Sequence, residues 1–241
     1  MRIIHANCRS QFTAADMDFI TLTLGKNRQA AGFLASLLAD GEMRDLILDD
    51  ETLFRVLLEQ RGCGRVSPHL YFYVLVRHVL RESGLGDRSV ADYVAEMLME
   101  FSRQEGTRLI LRGQLQPMDY FFEMLTALQT ADDYTAFCLR AYIANHSLFF
   151  SGVFPERIRS RAERRGLPGL RYYQEMGRAS FRAASHHRLA SEFDLVPIFD
   201  TLSERFEPIR LALNGLAARV FSAGDPDCRF LSRVDGEAKL A

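Results

Sequence analysis

The segment at residues 69–82 constrains the fold more than any other part of the chain. It follows Ser67 and Pro68, a hydroxyl N-cap and a proline in the first turn, which together form a strong helix start. Apolar and aromatic residues cover most of the circumference of this helix. Because such a helix has no broad face suited to water, we expect it at the centre of a bundle of helices.

A second segment, at residues 134–150, has the same character. It follows Asp132 and Asp133, two acidic residues that suit the positive end of a helix. Phe137, Ile143 and Phe149 belong to an apolar set that extends nearly all round the helix. We therefore pair this segment with residues 69–82 as the two core helices.

Helical periodicity continues along nearly all of the chain. Apolar residues recur three and four positions apart, and glycine, proline or N-cap residues mark the breaks. The other predicted helices span residues 13–24, 27–38, 41–48, 51–60, 87–103, 117–128, 155–166, 168–190 and 192–220, the last one bent at its two prolines. We predict an all-α protein, a single multi-helix bundle of roughly nine to eleven helices with two central apolar helices.

Two segments depart from this pattern. Residues 105–116 have no clean period, so we predict an internal linker there, with a short extended piece near residues 109–111. Residues 221–241 mix glycine, proline and charges, which is typical of a flexible C-terminal tail. The predicted domain is thus a helical bundle over residues 1–220.

Composition and cysteine spacing indicate the broad class. The chain is 48% hydrophobic and 25% charged with a net charge of -1, as in ordinary globular proteins. Its apolar runs are far shorter than the roughly 20 residues of a membrane-spanning helix, and its N-terminus lacks a signal-peptide pattern. The four cysteines are widely dispersed. We therefore expect a cytoplasmic protein with reduced thiols and no membrane span.

Motifs that carry known chemistry are missing from the sequence. No glutamate is followed by histidine three residues later, as a ferritin-like di-iron site requires. There is also no HExxH motif, no GxxxxGK[ST] phosphate loop and no GxGxxG after a strand. The sequence therefore predicts no metal and no cofactor, and it favours a non-enzymatic protein.

Polar side chains inside the apolar helices are the first candidate site. A polar group buried without a partner costs about 1–3 kcal/mol, so these groups must contact one another, water, a ligand or the surface. Two interpretations follow: a satisfied network in the core, or a pocket between helices in a small-ligand binder or enzyme. The candidate pocket residues are His69, Tyr73, Arg77, Asn145, His146 and Glu175.

An arginine-rich segment is the second candidate site. Residues 155–190 contain nine arginines and two histidines against three glutamates, whereas residues 40–59 contain seven acidic residues and two arginines. The candidate partner surface consists of Arg157, Arg161, Arg164, Arg165 and Arg171. We expect a partner-binding protein that uses this surface for a protein partner or a second copy of itself. Nucleic acid is a less favoured alternative.

Overall fold

A computed structural model describes residues 3–60, 64–102, 108–111, 114–117 and 121–222. Within these ranges it contains thirteen α-helices, a short 3-10 helix and one two-stranded hairpin, which confirms the all-α class. The number of helices exceeds the predicted range of roughly nine to eleven. The prediction was too low because two long predicted segments are each divided.

Most of the helices follow one another through short connections, and the hairpin lies between the sixth and the seventh. After the 3-10 helix (Cys8–Gln11), the first half of the chain contains α1 (Ala14–Leu24), α2 (Arg28–Leu38), α3 (Gly41–Ile47), α4 (Glu51–Glu59), α5 (Pro68–Glu82) and α6 (Arg88–Ser102). The second half contains α7 (Phe121–Gln129), α8 (Asp133–Val153), α9 (Pro155–Arg165), α10 (Leu170–Ser185), α11 (Arg188–Glu192), α12 (Val196–Glu204) and α13 (Phe206–Ser222). In this described part, no helix is long and apolar enough to cross a membrane.

Helices α5 and α8 occupy the core, as predicted. Ser67 caps α5 by accepting a hydrogen bond from the Leu70 amide at 3.1 Å, and Asp132 caps α8 by accepting one from the Thr135 amide at 2.7 Å. Most residues of both helices are buried. α5 packs against α4, α6 and α13, and α8 packs against α10, α13 and α7. Both helices contact α13 and contribute to the main hydrophobic cluster, and α8 also forms a smaller cluster with α7.

The predicted linker at residues 105–116, which has no clean helical period, overlaps a hairpin. Strand β1 (Arg108–Leu111) pairs antiparallel with β2 (Gln114–Pro117), and Ile110 lies opposite Leu115. The extended piece predicted at residues 109–111 therefore lies in β1. The prediction that a helix starts at Pro117 was wrong, because that proline ends β2 and α7 begins at Phe121. The rest of the predicted linker, and the tail from residue 223 onwards, lie outside the described residues.

The predicted helix at residues 168–190 is divided at His187. Its ring nitrogen Nδ1 accepts a hydrogen bond from the Leu189 amide at 3.2 Å, which caps the short α11 and ends α10 before it. Similarly, Pro197 and Pro208 lie in the first turns of α12 and α13 instead of bending one helix. Proline is tolerated there because the first amides of a helix have no intrahelical acceptor.

Candidate functional site

Arg77 of the predicted pocket forms a buried ion pair. Its Nε and Nη2 atoms donate to the two carboxylate oxygens of Asp49 at 2.8 and 3.1 Å, and its Nη1 donates to the Gly86 carbonyl at 2.7 Å. Burial raises the pKa of Asp49, and the guanidinium groups of Arg77 and its neighbours lower it by more, so the pKa lies below its ordinary value. This bidentate pair connects α5 to the end of α3.

Further ionic contacts extend this pair into a cluster. Arg88 Nη2 donates to Asp49 at 2.9 Å, and Arg9 Nη1 donates to Asp45 at 2.6 Å. The Arg9 amide donates to Asp92 at 2.8 Å, and burial still raises the pKa of that carboxyl above its ordinary value. We call these residues, together with Arg77, the ionic cluster. It fixes the 3-10 helix and α3 against α5 and α6.

His69 and Tyr73 lie at the edge of the ionic cluster. His69 Nε2 is 3.8 Å from Glu96 Oε2, and the Arg9 guanidinium lies 5.6 Å from the centre of the Tyr73 ring. Tyr73 is fully buried, and burial raises the pKa of its hydroxyl. Phe12 meets the Tyr73 ring edge-on at 5.7 Å. Tyr73 therefore helps to hold the N-terminal segment in place, whereas the His69 ring faces α6.

Asn145 has a different partner. Its Nδ2 donates to the Tyr93 hydroxyl at 2.8 Å, and that hydroxyl lies 3.0 Å from Asn145 Oδ1. Both side chains are buried, and burial raises the pKa of Tyr93. The Tyr93 ring also meets Phe199 edge-on at 5.5 Å. Asn145 therefore connects α8 to α6 in the interior.

His146 lies among aromatic rings, one residue further along α8. The ring centres of Phe150, Phe121, Tyr142 and Tyr173 are 4.4, 5.5, 6.1 and 6.2 Å from its own. The side chain is buried, and Nδ1 has no hydrogen-bond partner among the residues described. Burial, and then the charges of Arg157 and Arg161, lower the pKa of His146 to about 3. At neutral pH the ring is therefore uncharged.

Two arginines of the predicted partner surface lie beside His146. Arg157 and Arg161 stand one turn apart on α9, both are half-buried, and the Arg157 guanidinium lies 5.7 Å from the centre of the Phe150 ring. We call His146, its four aromatic neighbours and these two arginines the His146 site. The structure thus brings together residues that the sequence assigned to separate sites.

Glu175 lies at the surface instead of in the interior. Its Oε1 accepts a hydrogen bond from Arg171 Nε at 2.8 Å, with the two side chains 63% and 90% exposed. The packed side of α10 carries Gly177 and Phe181, and a Cβ at Gly177 would lie 2.4 Å from the Phe206 ring. The six predicted pocket residues therefore do not line one pocket. His69, Tyr73 and Arg77 lie at the ionic cluster, Asn145 and His146 have partners of their own, and α10 turns Glu175 away from α8.

The remaining arginines of the partner surface are exposed. Arg164 and Arg165 lie in the last turn of α9, where positive charge suits the helix dipole. Gly166 then ends the helix with a φ of 62°, a conformation that glycine adopts without strain. Arg171 follows in the first turn of α10. We use the name arginine face for Arg164, Arg165 and Arg171, with Arg157 and Arg161 at its inner edge.

The sequence pattern did not single out the acidic members of the buried network. Asp92 and Glu96 are nearly fully buried and stand four residues apart on α6, so they share one face with its apolar residues. Two carboxylates on the inner face of an amphipathic helix were the signal that could have found them. Within the described ranges, no three His, Cys, Asp or Glu side chains are placed to hold a metal ion.

The His146 pKa gives a prediction for stability against pH. In the unfolded chain this pKa returns to about 6.5. Between there and the folded value of about 3, only the unfolded chain binds the proton. The free energy of unfolding should therefore fall as the pH falls, by up to about 1.4 kcal/mol per pH unit. Urea unfolding of wild type and His146→Phe between about pH 7 and 5 isolates this term. If the free energy of unfolding changed with pH by the same amount in both proteins, the prediction would be contradicted.

Comparisons with known proteins give no relationship: no family model, no curated protein and no solved structure matches the chain significantly. The geometry of the chain is therefore the basis for assigning a function.

Proposed function

We propose that this chain is a non-enzymatic binding protein whose arginine face holds an acidic segment of a protein partner. The observation that carries the proposal is the exposure of Arg164, Arg165 and Arg171 around the α9 to α10 turn. Buried Pro155 and Ile158 anchor the other side of α9. A fixed helix therefore presents the charges, which reduces the entropy lost on binding.

Arginine suits this role better than lysine does. Its planar guanidinium donates two parallel hydrogen bonds to one carboxylate, and it is weakly hydrated compared with an ammonium group. Arginine is also enriched at protein interfaces and among the residues that dominate their binding energy. The chain has 30 basic residues and only Lys26 and Lys239 are lysines, so nearly every basic contact has this geometry.

The charge balance favours a protein partner over nucleic acid. Nucleic-acid-binding domains are typically strongly basic, whereas this chain has a net charge of -1 and a pI of about 6.6. Glutamates also interrupt the arginine-rich segment. Arg159 pairs with Glu156, and Arg171 pairs with Glu175. A mixed surface of this kind fits an acidic peptide with interspersed carboxylates better than a continuous phosphate backbone.

A charge-reversal variant tests the proposal. In R164E/R165E, two exposed arginines become repulsive toward carboxylates, so affinity for an acidic peptide should fall by about 100-fold or more. The probe is a fluorescein-labelled twenty-residue peptide rich in glutamate and aspartate, followed by anisotropy. Because both positions are exposed, circular dichroism should match wild type, and the free energy of unfolding should fall by no more than about 2 kcal/mol through the less favourable charge at the end of α9.

The matched control is R55E/R205E, which makes the same change in net charge at two exposed positions on α4 and beside α12. This control should keep the wild-type affinity within about threefold. Equal losses in both double variants would show that only overall charge matters and would contradict an arginine face. Unchanged affinity in R164E/R165E would contradict it as well.

The His146 site supports a second candidate function, the binding of a small anionic ligand between helices. The observation in its favour is a buried Nδ1 atom without a described hydrogen-bond partner, beside Arg157 and Arg161. The same double variant separates the two functions, because Arg164 and Arg165 lie outside the His146 site. A small carboxylate bound at His146 would keep its affinity in R164E/R165E, whereas an acidic peptide would not.

A further inference from the structure

The outer surface of the first three helices carries several large apolar side chains. Four large hydrophobic side chains are exposed there: Leu22 on α1 (78%), Phe33 on α2 (65%), and Met43 (36%) and Leu46 (60%) on α3. Contiguous exposed apolar surface is uncommon on soluble monomers and marks interaction sites. Four such side chains on three successive helices make this region a candidate interaction surface.

Helix α2 forms the middle of this surface. It packs against α1 and α3, and its inner side approaches α1 so closely that a Cβ at Gly25 would lie 3.0 Å from the Ala31 Cβ. Its outer side carries exposed Gln29, Gly32, Phe33 and Ser36. A Cβ at Gly32 would meet nothing within 4 Å. Phe33 thus projects from a helix face that is otherwise built of small or uncharged residues.

The two ends of α2 carry opposite charges. Lys26 and Arg28 lie at its start, and Asp40 and Glu42 follow its end, all four of them exposed. Positive charge at the start opposes the helix dipole, so α2's own stability does not account for Arg28. Within the described part of the chain, none of the four takes part in an ion pair. The Asp40 carboxylate also caps α3 by accepting a hydrogen bond from the Met43 amide at 2.9 Å. Among the described residues, all four charges nevertheless lack an ionic partner, which a complementary surface could supply.

We propose that the outer face of α2 is a homodimer interface, in which a second copy lies antiparallel across it on a twofold axis near Phe33. Phe33 is the midpoint of α2 (Arg28–Leu38), so such an axis brings the start of each α2 against the end of the other. Lys26 and Arg28 then face Asp40 and Glu42 of the second copy. Phe33 packs over Gly32 and Ser36 of the second copy.

This interface is independent of the proposed function. α2 contacts α1 and α3, whereas the helix of the arginine face, α9, contacts α8 and α10. A dimer would present two arginine faces to a partner and raise its affinity for an extended acidic segment by avidity. If the protein proved to be monomeric, the proposed function of the single arginine face would not be affected.

The first test is sedimentation of the full chain over a range of concentrations. Wild type should form a dimer, and Phe33→Glu at its centre should raise the dimer Kd by about 30-fold or more. The matched control is Leu211→Glu on α13, at a leucine that is 52% exposed, and it should leave the Kd unchanged. A monomeric wild type at about 100 μM, or a dimer that persists in Phe33→Glu, would overturn the proposal.

The second test reverses charges and does not depend on Phe33. Arg28→Glu and Glu42→Arg should each weaken the dimer by about tenfold, because each places like charges together at both ends of the interface. The double variant R28E/E42R should recover the wild-type Kd within about threefold. Weakening that persists in the double variant would show that the two residues do not meet and would overturn the antiparallel arrangement.

Discussion

Replacing Phe137 with alanine is expected to lower the free energy of unfolding by about 3–5 kcal/mol. Phe137 is 1% exposed, at the start of the core helix α8. The centres of the His187, Phe193 and Phe199 rings lie 5.1, 6.3 and 6.4 Å from its own. Truncation removes all of these contacts and leaves a cavity that the rigid helices fill only in part. Phe72→Ala in α5 should lower the free energy of unfolding by a similar amount.

Urea unfolding followed by circular dichroism measures this loss, provided that wild type and variants share one m-value. Phe122→Ala is the matched control, since that phenylalanine is 78% exposed and should cost less than about 0.5 kcal/mol. A midpoint for Phe137→Ala near that of wild type would show that α8 is not a core helix.

Replacing Arg77 with methionine should have an effect as large, about 3–5 kcal/mol. Methionine fills a similar volume but cannot donate to Asp49 or to the Gly86 carbonyl. The Asp49 carboxylate, whose side chain is 13% exposed, would keep Arg88 at 2.9 Å and Arg81 at 3.7 Å but lose its bidentate partner. Removing one member of a buried ion pair leaves the other charge insufficiently compensated, which costs far more than breaking a surface pair.

Arg171→Met is the matched control for this prediction. Arg171 also forms an ion pair with a carboxylate, that of Glu175, but its side chain is 90% exposed. The control should therefore cost at most about 1 kcal/mol. A loss for Arg77→Met no larger than this would contradict the structural role of the ionic cluster and would return Arg77 to the set of candidate ligand-binding residues.

The helices of the core were predictable because their signals are local. Ser67 and Asp132 cap α5 and α8 through amides three residues ahead, so a short stretch of sequence specifies each start. The apolar circumference of both helices likewise requires burial without reference to the rest of the chain. The hairpin after α6 lacked such signals, so only a short extended piece was predicted there.

The candidate site was less predictable because its contacts join distant parts of the chain. Arg9 and Asp92 meet across 83 residues, and Tyr93 and Asn145 meet across 52. Periodicity assigns each residue to a face of its own helix but does not say which neighbour that face meets. For the same reason, the contact of α9 with the His146 region was not foreseen, although both participants had been singled out.

The buried network and the arginine face have complementary roles in this account. Side chains such as Arg77 and Asn145 have partners inside the bundle, where they join helices to one another. Arg164 and Arg165 remain at the surface on a helix that the core holds in place. Under the proposed function, the exposed arginines are the residues that contact the acidic segment of the partner.

The most direct test is the affinity of the wild-type protein for two probes of equal charge at physiological salt. One probe is the acidic twenty-residue peptide, and the other is a single-stranded RNA of the same net charge, both followed by fluorescence anisotropy. The account predicts measurable binding of the peptide, with weaker binding of the RNA whose affinity falls steeply with added salt. Equal or tighter binding of the RNA, or no binding of the peptide, would contradict an arginine face that recognises an acidic protein partner.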